Sequence, residues 1–393
     1  MKRIWKTLVI AAFASLSALG FAATVEGLYS ATIKVPDQSL EQREKGFSLA
    51  LAQVLVKTTG AKDILSRSGV NATLTQAKRY LVKYAYLPRL EVEPTALESD
   101  QLEVEQFEIN QSEIEQVPVI QGFPLSVQFA KVTIDDLIRK LDLPIWPANR
   151  PELLIWMLEQ TASGYRFIDN SDLPAELQAH FQSRGLPVQL PLYDLQDQLA
   201  LKPVDAWSLN QQKLSDAANR YRADHWLVLR YSHIASGAIR GSWYLSAHSG
   251  DFSSDGALLN ILEVDSTAAF LNNSADQVVD LFAGKMAYFA DAEANLFRLV
   301  VENIGSFTAY SALNGFLGGL EIVNAVKVRS IEADTIILDL ATEGETRVLL
   351  RALNKESRLS RITQLNDDSS EPPVLGDSRH LSSVEYFRWQ AAR

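Results

Sequence analysis

The chain has 393 residues, of which 47% are hydrophobic and 22% charged, a composition typical of a globular protein with two or three domains. Its formal charge of -11 at pH 7 argues against binding to nucleic acid or to anionic lipid, because both require clustered lysine and arginine. The absence of cysteine excludes thiol catalysis, thiolate metal sites, disulfides and a lipid-modified N-terminal cysteine.

The N-terminus has the three parts of an export signal: a basic start, an apolar stretch and a cleavage site with small residues. In order, these parts are Lys2, Arg3 and Lys6, then residues 8–19, then Gly20 and Ala22. The apolar stretch is shorter than the roughly 20 residues that span a bilayer. We therefore predict a signal peptide over residues 1–22 and a periplasmic mature chain without a transmembrane segment. The alternative is an N-terminal anchor that stays uncleaved.

Residues 23–143 are predicted to form an N-terminal α+β domain. The patterns predict a strand at 27–35, helices at 40–59 and 73–84, strands at 102–109 and 123–129, and a helix from Thr133. Between Arg89 and Lys131 the chain is acidic and contains no basic residue. We interpret these acids as a solvated strand face rather than a cation site, because the acid spacing and central glycine of a calcium loop are missing.

The three prolines between Pro144 and Pro151 predict a hinge, since proline cannot continue a helix. Beyond it, residues 152–294 alternate strand-like and helical patterns, which predicts a central α/β domain. The predicted elements are strands at 153–158, 187–191, 225–231 and 257–264, helices at 172–185, 209–221 and 274–289, and a hairpin turn at Ser236-Gly237. Five tryptophans lie in or beside this domain: Trp146, Trp156, Trp207, Trp226 and Trp243. We interpret them as core or boundary packing rather than as a ligand-stacking site.

Residues 295–363 show the sharpest pattern in the chain. Strands are predicted at 297–301, 321–328, 335–340 and 357–362, with helices at 306–317 and 345–353. The order β-α-β-β-α-β predicts a ferredoxin-like C-terminal domain. The tail, 364–393, is rich in aspartate, serine and proline, and we predict that it is disordered. The chain as a whole is thus predicted to be an α+β and α/β multidomain protein with mixed sheets and flanking helices.

Motifs for chemistry are missing from the sequence: it contains no phosphate-binding loop, dinucleotide motif, nucleophile elbow or HExxH zinc motif. The weak candidates for an active site are Asp224, His225, His233 and His248. Asp224 and His225 are neighbours near a strand, so their side chains should point to opposite faces. His233 and His248 could lie side by side on a hairpin, but two imidazoles without a third ligand make a poor metal site. We therefore predict no catalytic, cofactor or metal site, and expect these two histidines to lack a carboxylate partner.

Several segments resemble a known family. They are ALAQVLVKTTG at 50–60, PIWPANRP at 144–151, ADHWLV at 223–228 and GSW at 241–243. The chain is similar in these segments to domain of unknown function 2066, an uncharacterised family of exported proteins from Gram-negative bacteria. The resemblance covers most of the mature chain and implies its location and architecture. It brings no catalytic residues, because none is established for the family.

Three classes of function remain open. We favour a non-enzymatic envelope protein that binds another envelope protein or assists an assembly. The alternatives are an envelope hydrolase or transferase with a site around His233 and His248, and a small-molecule carrier that uses the tryptophan-rich domain. An enzyme should show a concave pocket with groups of perturbed pKa, whereas a binding module should show an exposed apolar patch.

Overall fold

The computed structural model describes residues 25, 27–88, 122–169, 171–246, 258–290, 295–362 and 381–390. The chain folds into two compact units. The smaller unit comprises residues 27–56 and 62–141, and the larger unit comprises residues 1–26, 57–61 and 142–393. Helices and sheets interleave in both, so the fold is mixed α+β, as predicted.

The smaller unit contains a three-stranded antiparallel sheet and three α-helices. The strands are β1 (Ser30–Val35), β2 (Leu81–Tyr86) and β3 (Phe123–Phe129), in the order β1-β3-β2, and the helices are α1 (Leu40–Thr59), α2 (Val70–Leu74) and α3 (Lys131–Lys140). At Gly46 the helix α1 lies so close to the sheet that a Cβ atom would approach Leu125 to 2.7 Å and Val35 to 2.9 Å. The glycine therefore permits the close packing of α1 on β1 and β3.

The helix predicted at 73–84 is wrong. α2 ends at Leu74, a 3₁₀ turn follows at Ala77–Tyr80, and β2 then begins. The spacing of apolar residues predicts a helix, whereas the valine and tyrosines of Leu81–Tyr86 favour a strand. The hydrogen-bonded pairing of this segment with β3 decides in favour of the strand. The strand predicted at 102–109 lies outside the described residues.

A six-stranded mixed sheet forms the centre of the larger unit, in the order β5-β4-β7-β8-β9 with β6 also paired to β4. Its strands are β4 (Leu153–Thr161), β5 (Gly164–Phe167), β6 (Val188–Gln189), β7 (His225–His233), β8 (Ile239–Leu245) and β9 (Leu258–Val264). β4 and β7 run parallel, whereas β7, β8 and β9 form an antiparallel meander.

Helices cover both faces of this central sheet. The helices of this part of the chain are α4 (Leu173–Arg184), α5 (Leu195–Ala200), α6 (Pro203–Trp207), α7 (Gln211–Asn219) and α8 (Thr267–Met286), of which α5 buries none of its residues. Side chains of α4 and α8 share one core with Leu153, Ile155 and Met157, whereas α6 and α7 share the other core with alternate residues of β4. The apolar run at 153–158 is therefore a strand buried on both faces, as predicted. α8 begins at Thr267 rather than at 274, because Ser266 caps it by accepting the N–H of Ala269 at 3.1 Å.

Four of the five tryptophans in this region are core residues. Trp146, Trp156, Trp226 and Trp243 are all buried. Trp207 is partly exposed, and Tyr165 stacks on it with ring centroids 4.6 Å apart. The interpretation of the tryptophans as packing residues is thus confirmed for the four buried rings.

The C-terminal part of the larger unit contains a five-stranded sheet. Its elements are β10 (Asn295–Glu302), α9 (Phe307–Gly319), β11 (Val323–Glu332), β12 (Thr335–Thr342), α10 (Thr346–Lys355), β13 (Leu359–Arg361) and β14 (Leu381–Trp389). The first six follow the predicted β-α-β-β-α-β order. The sheet order, β11-β12-β10-β14-β13, places β14 between β10 and β13. The ferredoxin-like pattern is therefore enlarged by an inserted strand that runs parallel to β10.

The prediction of a disordered tail is wrong for Leu381–Trp389. This stretch is strand β14, in which Phe387 and Trp389 are buried. The prediction rested on the composition of 364–393 as a whole, which is rich in aspartate, serine and proline. That composition does not show the alternation of apolar and polar residues within this one stretch.

The predicted hinge at 144–151 is a firmly held segment. Arg150 is buried and donates hydrogen bonds to the carbonyl oxygens of Pro147, Gly185 and Trp146 at 2.7–2.9 Å. Its guanidinium also lies 3.8 Å from the centroid of the Trp146 ring. Lys355 in turn donates to the carbonyl oxygen of Arg150 at 2.8 Å. These side-chain bonds add to the backbone bonds of the segment, such as the one from the N–H of Ile145 to the carbonyl oxygen of Tyr288 at 2.7 Å.

The two compact units and the three predicted domains divide the chain differently. The smaller unit ends at Leu141, close to the predicted boundary at Leu143. The predicted central domain (152–294) and C-terminal domain (295–363) have separate sheets but belong to one compact unit. Among the described residues, no helix is both long and apolar enough to cross a membrane.

Candidate interaction surface

His233 lies at the end of β7 with 57% of its side chain exposed. Its Nε2 atom is 3.5 Å from Oε1 of Glu159, so the expectation that it has no carboxylate neighbour is wrong. The other oxygen of Glu159 accepts a hydrogen bond from Arg166 at 2.5 Å. Since Arg166 also binds this carboxylate, we interpret the approach of His233 as a polar contact at the end of the strand and not as part of a catalytic site. His248 lies outside the described residues.

Asp224 and His225 do not converge on a common site. Asp224 accepts the N–H of Glu152 at 2.8 Å and lies 3.3 Å from Nζ of Lys355. His225 is buried, and its ring packs edge-on against Phe282 at 5.3 Å. The two side chains therefore have separate surroundings, one polar and one apolar.

Ser242 on β8 and Ser246, just after the end of β8, each accept a hydrogen bond from a neighbouring residue. Ser242 accepts from Nε of Arg230 at 2.9 Å, and Ser246 accepts from the N–H of Trp226 at 2.9 Å. Both hydroxyl groups thus satisfy neighbouring donors of the sheet. Within the described part of the chain there is also no group of three or more His, Cys, Asp or Glu side chains that could hold a metal ion.

A polar cluster between α4 and α8 was not anticipated from the sequence. Arg184 is buried and binds Asp276 at 2.5 Å, Asp280 at 2.6 Å and the carbonyl oxygen of Gly60 at 3.0 Å. His180 lies 2.9 Å from Asp276. The i,i+4 spacings of His180 with Arg184 and of Asp276 with Asp280 were the available signal. The cluster fastens α4 to α8, and we interpret it as structural.

An exposed apolar surface lies on the segment that precedes α6. Leu192, Leu195 and Leu199 are 69%, 71% and 75% exposed. We call these residues the leucine surface. Leu195 and Leu199 have i, i+4 spacing and lie on one face of α5, and Leu192 lies in the turn that precedes the N-cap of this helix. Such a face normally points to the core, whereas here it points to solvent.

Helix α5 buries none of its six residues. Isolated helices shorter than about 12 residues are marginal in water, so contacts with the rest of the protein must stabilise it. Its N-cap is Asp194, whose carboxylate accepts the N–H of Asp197 at 3.1 Å. Buried residues flank the segment, Pro191 before it and Leu201 after it. The helix is thus fixed at its ends and not by packing of its own side chains.

A network of ion pairs fixes the N-terminal end of α5. The two terminal nitrogens of the Arg220 guanidinium, Nη1 and Nη2, each donate to the Asp194 carboxylate at 2.6 Å, and Nη1 also donates to Asp197 at 2.7 Å. The hydrogen bond from Arg220, followed by that from the N–H of Asp197, holds the pKa of Asp194 well below its usual range. The planar, two-pronged contact gives the pair a defined geometry that a single lysine would not supply.

Two tyrosines complete this network. Tyr221 donates its hydroxyl proton to Asp197 at 2.5 Å and accepts the N–H of Leu192 at 2.9 Å. Burial and the bond to Asp197 raise the pKa of Tyr221 to about 12. Tyr193 has a φ of 53°, a left-handed conformation that non-glycine residues rarely adopt, and its N–H donates to Asp197 at 2.8 Å. These bonds hold the chain in the turn that directs Leu192 outward.

The leucine surface is not among the elements predicted from the sequence. It lies between the strand predicted at 187–191 and the helix predicted at 209–221. The available signal was a short run of leucines at helical spacing, capped by Asp194. The apolar residues of a short amphipathic pattern are ordinarily assigned to the core, so the sequence could not show that these leucines face solvent.

Comparison with protein families supports one assignment. Residues 22–147 match the family model described as Domain of unknown function (DUF8605). This part of the chain is therefore similar to an uncharacterised domain. The matched family is not the 2066 family that several sequence segments resemble, so the match does not support that resemblance. None of the curated proteins matches the chain.

Proposed function

We propose that this protein is an exported, non-enzymatic module of the cell envelope that binds another envelope protein through the leucine surface. One observation carries the proposal: α5 buries none of its own residues, yet ion pairs and hydrogen bonds hold it in place. Exposed apolar side chains are unfavourable in water, and contiguous patches of them mark interaction sites. A partner that covers the leucines would recover this hydrophobic free energy on a surface that is already ordered.

The proposed location rests on the N-terminal pattern. The basic start, the apolar stretch at 8–19 and the small residues Gly20 and Ala22 support export with cleavage after Ala22. The resemblance to the 2066 family supports the periplasm of a Gram-negative cell as the destination. A binding partner should then be another protein of the same envelope.

The mature protein is expected to begin at Ala23. Cells that express the full chain should yield a periplasmic form that lacks residues 1–22, because the small residues at 20 and 22 suit signal peptidase. N-terminal sequencing of the protein from the periplasmic fraction measures this directly. Recovery of an intact Met1 would instead indicate the uncleaved anchor.

Replacing Leu195 and Leu199 together with aspartate is expected to weaken partner binding at least about tenfold. Each buried leucine contributes roughly 1.5–3 kcal/mol, and 1.4 kcal/mol corresponds to a factor of ten. A photo-crosslinking amino acid at position 192 would capture the partner in intact cells. The measurement is the yield of crosslinked adducts with and without the two aspartates.

The matched control is Val132→Asp, because Val132 on α3 is also 71% exposed and lies outside the leucine surface. This variant should retain the full yield of adducts. Both proteins should keep the thermal melt of the wild type, since exposed substitutions usually change stability by less than about 0.5 kcal/mol. Equal adduct yields from the double aspartate variant and the wild type would refute the proposal.

A further inference from the structure

Strand β9 is an edge of the central sheet, and its outer side pairs with no other strand among the described residues. It pairs with β8 along all seven of its residues without a bulge. Leu259 and Ile261 on its exposed face are 50% and 66% exposed. The single charged side chain of the strand, Glu263, lies 3.0 Å from Arg240 on β8. β9 is therefore a long, regular and apolar edge.

The other edge strands carry features that discourage pairing with a foreign strand. β5, β6 and β13 have only four, two and three residues. β2 and β11 contain bulges and exposed basic residues, Lys83 in the first and Lys327 and Arg329 in the second. β1 carries the exposed Lys34. Of the edges that the structure describes, β9 alone is neither short, nor bulged, nor basic.

We propose that two copies of this chain associate through β9, with their strands antiparallel about a two-fold axis at Asn260. Each strand then pairs its outward backbone groups with those of the other, and the two central sheets become one continuous sheet. The N–H of Ile261, which donates to Oδ1 of Asn260 at 2.9 Å in the single copy, exchanges that bond for one to the opposite strand. The association is isologous, so it closes after two copies and leaves no free β9 edge. It does not depend on the leucine surface.

The sequence of β9 is complementary to itself in this register. An axis at Asn260 places Leu259 of each copy directly opposite Ile261 of the other, which forms an apolar cluster of four side chains on one face. The two Glu263 side chains lie at opposite ends of the cluster, each beside the Arg240 of its own copy. Among the described residues, no carboxylate of one copy therefore lies directly opposite a carboxylate of the other. A partner strand of any other sequence would have to match this pattern of alternating apolar residues.

Sedimentation equilibrium of the mature full chain over a concentration series tests the association. The expected mass is twice that of one chain. The full chain has a formal charge of -11, and residues 1–22 contribute +3 through Lys2, Arg3 and Lys6, so each mature copy has a charge of -14. Added salt should therefore favour the dimer. Ile261→Lys should return the mass to that of one chain, since a lysine on the edge opposes strand pairing.

The matched control is Ile331→Lys on β11, where the isoleucine is 65% exposed. This variant should remain a dimer, and both variants should melt at the wild-type temperature. A single-chain mass at every concentration, or a dimer that survives Ile261→Lys, would overturn the proposal.

Cysteine crosslinking tests the register, because the chain contains no cysteine of its own. A mixture of Leu259→Cys and Ile261→Cys copies should form an intermolecular disulfide readily, since directly opposed Cβ atoms lie about 4.5–5.5 Å apart. Ile261→Cys alone should crosslink much less, because its Cβ atoms are then diagonal neighbours at about 7 Å. Equal crosslinking of the mixture and of Ile261→Cys alone would place the axis elsewhere and refute the proposed pairing.

Discussion

Replacing Trp156 with alanine is expected to lower the free energy of unfolding of the larger unit by about 3–5 kcal/mol, the usual loss when a large core aromatic residue is truncated. Trp156 is 3% exposed in the middle of β4. Its ring meets Trp226 edge-on, with centroids 6.2 Å apart, and belongs to the core that α7 closes with Leu214. Alanine would leave a cavity between the sheet and α7 that a rigid strand cannot close.

The measurement is denaturant unfolding followed by far-ultraviolet circular dichroism at 222 nm, which reports mainly on the backbone, with each variant fitted to its own folded and unfolded baselines. Trp207→Ala is the matched control, because the Trp207 ring is partly exposed and stacks on Tyr165 at the surface. Its loss should be clearly smaller. If Trp156→Ala lowered the free energy of unfolding by less than about 1 kcal/mol, the ring would not be the core residue that its burial indicates.

The strands and helices that rest on strong periodicity could be predicted from the sequence. The run at 153–158 is apolar at every position because β4 is buried on both faces, and the structure confirms this reason. α1 occupies the predicted range of 40–59 and ends, as expected, just before Gly60, whose φ is 75°. The order β-α-β-β-α-β could also be predicted, because the apolar residues of each element recur at the spacing of a strand or of a helix.

Long-range pairing could not be predicted in the same way. Nothing local in Leu381–Trp389 shows that the strand inserts between β10 and β13, because that choice depends on which edges the sheet leaves free. β2 was assigned to a helix for a related reason: its hydrogen bonds to β3 are made with residues far along the chain. Tertiary pairing of this kind overrides local preference.

The exposure of the leucine surface could not be predicted from the sequence, for a different physical reason. Leu195 and Leu199 have the spacing of a core-facing helix, and only the structure shows that this face is exposed. The contacts that fix the helix come from Arg220 and Tyr221, which follow α7. Their approach to Asp194 and Asp197 is a result of the fold, which no residue spacing within 192–199 encodes.

Replacing Asp339 with asparagine is expected to lower the free energy of unfolding at neutral pH by about 3 kcal/mol, near the lower limit for breaking a buried ion pair. Arg298 on β10 is 6% exposed and donates to this carboxylate through two nitrogens, at 2.7 and 3.3 Å. The two residues are cross-strand partners in the C-terminal sheet. Asparagine has nearly the same shape but no charge, so the buried guanidinium would lose its counter-ion.

The loss should also depend on pH. Burial alone would raise the pKa of Asp339, but hydrogen bonds and charge from Arg298 and Arg329 bring it below the ordinary value of 3.8. A carboxyl group whose pKa is lower in the folded state stabilises the fold fully above its unfolded pKa. That contribution disappears as the pH falls from 3.8 through the lowered folded value. The difference between wild type and Asp339→Asn should therefore be largest at neutral pH and shrink in acid.

The same substitution at an exposed pair separates burial from charge alone. Glu302 and Arg388 are also cross-strand partners in this sheet, 2.9 Å apart, but their side chains are 41% and 57% exposed. Glu302→Gln should change the free energy of unfolding by less than about 1 kcal/mol, because water screens exposed pairs. Urea unfolding of the three proteins at neutral pH and in acid measures both differences. Two outcomes would show that the buried charge of Arg298 does not need this carboxylate. The first is a loss of similar size for both variants, and the second is a loss for Asp339→Asn that does not diminish in acid.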